Sequence, residues 1–180
     1  MSQVTGQRLQ RGFTLLELLV TILVVAVLMG TAVGGIRNML DRNILAAEVN
    51  NLVMSLRIAR AEAVKRNKKV VICKGQNAEG CSPNANTTVT WNDGWLVYVD
   101  CNGDLNPNSP SKCQRIQRGE PHSSRYSVSL VGSNLNTYVE YFPAGYPNTS
   151  VTFQINAPNN TNWRKVVVSP SGRITIEKPW

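Results

Sequence analysis

Residues Leu18 to Ile36 are nineteen consecutive positions without a charge. As a helix they span about 28 Å, close to the hydrocarbon thickness of a bilayer. Arg8 and Arg11 precede the run, so the positive-inside rule places the N-terminus in the cytoplasm and everything after Ile36 on the far side. A cleaved secretory signal is the competing reading, because Ala32-Val33-Gly34 offers the small residues of a cleavage site. Two features count against it. A glutamate, Glu17, stands at the head of the run, and the helical pattern continues well beyond Gly34. Leu45, Val49, Leu52, Leu56, Ala59 and Ala63 form one apolar stripe at alternating spacings of four and three. "SLRIARAEAVKR", Ser55 to Arg66, consists of good helix formers, with Glu62 and Arg66 placed for an i, i+4 ion pair. A helix over residues 13–67 is roughly 80 Å long, far more than a membrane needs. Its second half must therefore pack on something else.

After Lys69 the period changes. "VVIC", "GWLVYVD", "CQRIQR", "YSVSL", "YVEYF", "VTFQI", "RKVVVS" and "GRITIE" are short β-branched or aromatic runs divided by Gly, Pro, Asn and Ser clusters. They predict antiparallel strands, with "SPSG", Ser169 to Gly172, as a tight turn between the last two. The fold class that follows is α+β: a long N-terminal helix, transmembrane in its first half and amphipathic in its second, packed on an antiparallel β-sheet domain. The net charge of +8 is concentrated before this domain, around residues 57–69, so the basic pI is weak support for a nucleic-acid partner. The four cysteines, Cys73, Cys81, Cys101 and Cys113, contain no C-x-x-C pair, and the single histidine, His122, has no nearby ligand. Two disulfides in an oxidising compartment suit them better than a metal. Proximity pairs Cys73 with Cys81 and Cys101 with Cys113, the other connectivities remaining open.

"RGFTLLELLV", Arg11 to Val20, resembles the class III signal of type IV prepilins and pseudopilins. The resemblance implies that an inner-membrane prepilin peptidase cuts after Gly12 and methylates the new terminal amine of Phe13. It also makes Glu17 the residue that pairs with the terminal amine of a neighbouring subunit during assembly. Physics supplies a motive, since an ionised carboxylate within a bilayer costs several kcal/mol unless it is partnered. The alternative for Glu17 is a headgroup-level position with no partner. Where many major pilins carry a proline in this span, the chain has Gly34-Gly35, a place where the helix is expected to be weak.

Farther on, "LRIARAEAVKRNKKVVIC", "WNDGWLVYVDCNGD", "YFPAGY" and "VVVSPSGRITI" are similar, in order, to the FimT/GspH family of minor pilins and type II secretion pseudopilins. The implied organisation is a leader (1–12), a transmembrane helix (13–36), an amphipathic helix half (37–68) and a periplasmic β domain (69–180). The implied partners are other pilins or pseudopilins in a filament, the prepilin peptidase and the inner membrane. DNA is a further candidate partner, because members of the FimT branch that bind DNA carry a basic G-R-x-R motif. Here Gly172-Arg173-Ile174-Thr175 lacks the second arginine, leaving Arg164, Lys165, Arg173 and Lys178 as candidate DNA-binding cations beside Trp180.

Other features have plainer readings. Asp100, Asn102, Asp104 and Asn106 alternate like the start of a calcium loop, but Ser111 stands where a bidentate acid is needed, so a solvated Asx-rich turn is expected. Trp91, Trp95 and Tyr98 have the spacing of a base-stacking platform, yet alternating aromatics in a strand usually serve the core. No catalytic constellation, cofactor motif or metal-ligand pattern is visible, which points away from an enzyme.

Overall fold

The computed structural model describes residues 13–75, 89–101, 103, 114–120, 126–131, 138–158 and 162–178, with the side chains of residues 31–38 excepted. Helix α1, Leu15–Arg66, is continuous and runs through Gly34-Gly35 without a break. Thr14 starts it: the Glu17 amide donates to Thr14 Oγ1 at 3.3 Å, and the Leu18 amide donates to the Thr14 carbonyl. Asn67 ends it in the left-handed region at φ 51°, with the Lys68 amide donating to the Ala63 carbonyl and the Asn67 amide to Val64. That pair of bonds satisfies two carbonyls the last turn would otherwise leave orphaned.

The chain divides into two compact units, residues 1–40 and residues 41–180. In the first, every described side chain from Phe13 to Gly30 is exposed. Among the described residues no helix is long and apolar enough to cross a membrane, and the remainder of the apolar run lies where side chains are not described.

In the second unit the helix stripe read from sequence is the helix face that is buried: Leu45, Val49, Leu52, Leu56, Ala59 and Ala63 are all 2 % exposed or less. They pack on two four-stranded antiparallel sheets rather than one. The strands are β1 (Val70–Lys74), β2 (Trp95–Val99), β3 (Arg115–Gly119), β4 (Ser127–Val131), β5 (Tyr138–Tyr141), β6 (Val151–Asn156), β7 (Trp163–Val168) and β8 (Ile174–Glu177). The first sheet has the order β3-β2-β1-β5 and the second β4-β6-β7-β8. Each strand falls on one of the eight runs picked out above.

Strand β6 alternates as a half-buried strand should, Val151, Phe153 and Ile155 pointing inward between half-buried Thr152, Gln154 and Asn156. Strand β2 is buried on both faces, which explains its near-continuous apolar sequence. Trp95, Val97 and Val99 join the main core, while Leu96 and Tyr98 join Val71 and Cys73 in a smaller cluster on the other face. Trp91, 4 % exposed, meets Phe153 edge to face at 4.9 Å between ring centroids, so the aromatic run is core and not a stacking platform. Trp91 is held by a short 3-10 turn, Trp91–Asp93, that Thr90 and Asp93 close with a reciprocal capping box.

Candidate functional site

Gly12, Cys81 and Cys113 lie outside the described residues. Phe13 precedes the first turn of α1 and is 78 % exposed. Glu17 sits in that turn, where a negative charge is favoured by the helix dipole. Its carboxylate is exposed and makes no hydrogen bond or ion pair among the described residues. Cys73 on β1 is disulfide-bonded and buried, and Cys101 just after β2 is half-buried with Sγ 3.5 Å from the Val99 carbonyl.

Asp100 departs from the solvated turn expected of it. It is 6 % exposed, and its Oδ1 accepts from the Gly103 amide at 3.0 Å. The Asx turn is therefore formed, but against the protein rather than in water, because the Asp100 amide donates to the Lys69 carbonyl and ties the turn to the helix exit. The other oxygen ligands considered, Asn102, Asp104 and Asn106, lie outside the description.

The four cations of the C-terminal hairpin are dispersed rather than gathered. Arg164 has the parity of buried Val166 and Val168, and its Nε is buried. Lys165 points to the opposite face, over the Trp163 ring at 5.1 Å, directly across from Glu177 of β8. Lys178 follows β8 at the end remote from the β7–β8 turn, and Arg173 stands at that turn.

Arg173 instead belongs to a different group. With Arg57, Arg60, Ala61, Val64, Lys65, Gly172 and Ile174 it lines an open trough of about 600 Å³ between the second half of α1 and the β7–β8 turn. Arg60 builds this trough: Nη1 donates to the Gly172 carbonyl at 2.8 Å and Nη2 to the Ser171 carbonyl at 3.2 Å. Gly172 is buried at φ +76°, and a Cβ there would lie 2.4 Å from the Gly145 carbonyl oxygen, so only glycine lets the turn come this close. Within the turn, the Gly172 amide donates to the Ser169 carbonyl and the Arg173 amide to Ser169 Oγ. Arg57 and Arg173 have no carboxylate within ion-pair distance among the described residues, and Lys65 shares Glu62 with Arg66. The Glu62–Arg66 pair is the one its spacing predicted. The Arg66 guanidinium beside Glu62 holds that carboxyl below the usual range, while Arg66 also donates to Gln114 on the approach to β3.

A second charged pair fixes the helix exit. Lys69 Nζ is 2.9 Å from Glu140 Oε1, and Glu140 is only 7 % exposed. That hydrogen bond raises the Lys69 pKa above its ordinary value against the opposing effect of desolvation.

A family model for the type II transport protein GspH matches residues 48–172, and one for the prokaryotic N-terminal methylation motif matches residues 7–33. The pilin-like protein PilA1 of Thermus thermophilus is 28 % identical over 171 residues, covering 93 % of this chain and 99 % of its own. Among solved structures, the type IV minor pilin FimU of Pseudomonas aeruginosa superposes in one crystal form with a TM-score of 0.55 at 20 % identity, covering 77 % of this chain and 94 % of FimU. A second crystal form of FimU gives 0.52 at 19 % identity, over 74 % and 95 % of the two chains. The fold is thus that of a minor pilin.

Proposed function

The chain belongs to the family of the type II transport protein GspH, and we propose that it is a membrane-inserted minor pilin or pseudopilin, cut after Gly12, methylated on Phe13 and built into a type IV pilus or a type II secretion pseudopilus. The observation that carries this reading is the arrangement at the head of α1. An N-terminal methylation motif covers residues 7–33, Phe13 and Glu17 are exposed at the start of the helix, and every residue described from Phe13 to Gly30 is exposed. So long an exposed apolar surface calls for lipid or for other helices. The uncharged run Leu18 to Ile36 has the length of a span, and Arg8 and Arg11 orient it with the β domain in the periplasm.

Glu17 then has two environments. In the unprocessed chain its carboxylate has no counter-charge among the described residues, and beside a neighbouring subunit it meets a terminal amine that processing creates. The difference favours the assembled state and sets subunit register. The role assigned is structural, and no chemistry is assigned to any side chain. The alternative of a DNA receptor draws little support from geometry, because Arg164, Lys165, Arg173 and Lys178 are spread along the hairpin and over both faces of its sheet.

Mass spectrometry of the mature chain tests the proposal. The expected N-terminus is Phe13 carrying an N-methyl group. A mature chain starting near Gly35 would mark an ordinary cleaved signal and end the filament reading.

A further inference from the structure

The trough beside Arg60 has no task in the processing and register mechanism above. We propose that it is a socket for an acidic, apolar segment of a neighbouring pilin subunit, an inference that rests on the filament role just proposed.

Charge is the first argument. Arg57, Lys65 and Arg173 stand around one concavity; among the described residues no acidic side chain lines it, and two of the three have no carboxylate within ion-pair distance. Like charges converging on a hollow raise its local potential and select an anionic partner. The second argument is the floor. Ala61, Val64 and Ile174 line it, and Val64 is 54 % exposed in the last turns of a helix whose opposite face is fully buried. A phosphate backbone would neutralise the rim and leave that floor wet. A segment carrying carboxylates next to an aliphatic or aromatic side chain covers both, which is why we assign a protein partner and not a nucleic acid. Third, the socket is pre-formed. Arg60 is already committed to the Gly172 and Ser171 carbonyls, so it frames the site and does not compete for the ligand. Little ordering is left for the partner to drive.

The test uses the full-length chain in cells that assemble the filament. A photo-crosslinking residue replaces Val64 in one variant and Leu23, in the exposed apolar run, in another. The expected result is that both positions form adducts with other pilin subunits, and that the peptide joined at position 64 contains Asp or Glu beside an apolar residue. Arg57→Glu with Arg173→Glu should lower the position-64 adduct about tenfold while leaving the position-23 adduct in place. The milder Arg57→Gln with Arg173→Gln should lower it by less, and near-ultraviolet circular dichroism of the buried tryptophans reports whether each variant is folded. Adducts at position 23 but none at 64 would overturn the socket alone. So would an adduct at 64 that ignores charge reversal in a folded variant, or one formed with nucleic acid. Adducts at neither position would overturn the filament reading and the socket with it.

Discussion

Gly172→Ala tests whether the β7–β8 turn is locked onto α1 as tightly as its geometry indicates. Two costs are expected. At φ +76° an alanine occupies the left-handed region, about 1–2 kcal/mol worse than glycine. Its methyl would then lie 2.4 Å from the Gly145 carbonyl oxygen and 3.1 Å from Arg60 Nε. The first neighbour is backbone and cannot rotate away, so the turn must shift, at about 1–3 kcal/mol for an overpacked site. The sum is about 2–5 kcal/mol. Gly103→Ala is the comparison: its φ is +78°, nothing among the described residues lies within 4 Å of the added carbon, and it should carry the backbone cost alone. Urea unfolding of the full-length chain in detergent, followed by tryptophan fluorescence, measures both at constant slope. A shifted turn also loosens the Arg60 bonds, so Arg60→Met should cost less in the Gly172→Ala background than in the parent. If Gly172→Ala is no more costly than Gly103→Ala, or if it and Arg60→Met are additive, the lock does not exist.

Lys69→Met should destabilise the domain by about 2 kcal/mol at neutral pH, because it strands the buried Glu140 carboxylate beside a half-exposed position. The folded pKa of Lys69 is raised, so the pair's contribution is complete below the ordinary lysine value and is lost as pH rises through the higher folded one, beyond which parent and variant stabilities should converge. Asp93 behaves in the opposite sense: hydrogen bonds from Thr90 hold its carboxyl below the usual range, so its contribution is present above about pH 4 and disappears as pH falls through the lowered value. Fluorescence of the adjacent Trp91 should register that acid loss, and Asp93→Ala, which removes both partner bonds, should abolish it. Non-reducing peptide mapping should join Cys73 to Cys81 and Cys101 to Cys113, and Cys73→Ser should cost about 2–3 kcal/mol for so short a loop. Glu17→Ala should leave processing and membrane insertion intact but lower the recovery of the chain in sheared filaments, measured by quantitative blotting against the parent.

What was legible in the sequence was whatever follows a period. The stripe from Leu45 to Ala63 repeats over five helical turns, too many for coincidence, and every member is buried. Strand β6 was equally plain, with Val, Phe and Ile on one face and Thr, Gln and Asn on the other. The division into two sheets was not legible, because β5 returns to pair with β1 while β4, just before it in the chain, pairs with β6. Alternation says which residues face inward and nothing about which strand lies next door. Asp100 was misread for a similar reason: an Asx turn has the same local signature in water or against a core.

The C-terminal cations illustrate how sequence neighbours are dispersed by a sheet. Arg164, Lys165, Arg173 and Lys178 are neighbours in sequence, but a strand sends successive side chains to opposite faces and separates its two ends. Arg57, Arg60 and Lys65 carried a usable signal, since offsets of three and eight place them along one side of a helix, adjoining the apolar stripe. What could not be read was the choice among them. Arg60 alone meets two main-chain carbonyls more than a hundred residues away, and it does so because glycine at 172 lets the turn approach. One contact therefore converts a solvated basic stripe into one side of a trough: it consumes Arg60, brings Arg173 to the hollow that Arg57 and Lys65 also line, and leaves Val64 exposed in that lining. A lysine at 60 would bring a single point donor where two carbonyls require a fork, so the socket depends on arginine geometry more than on its charge.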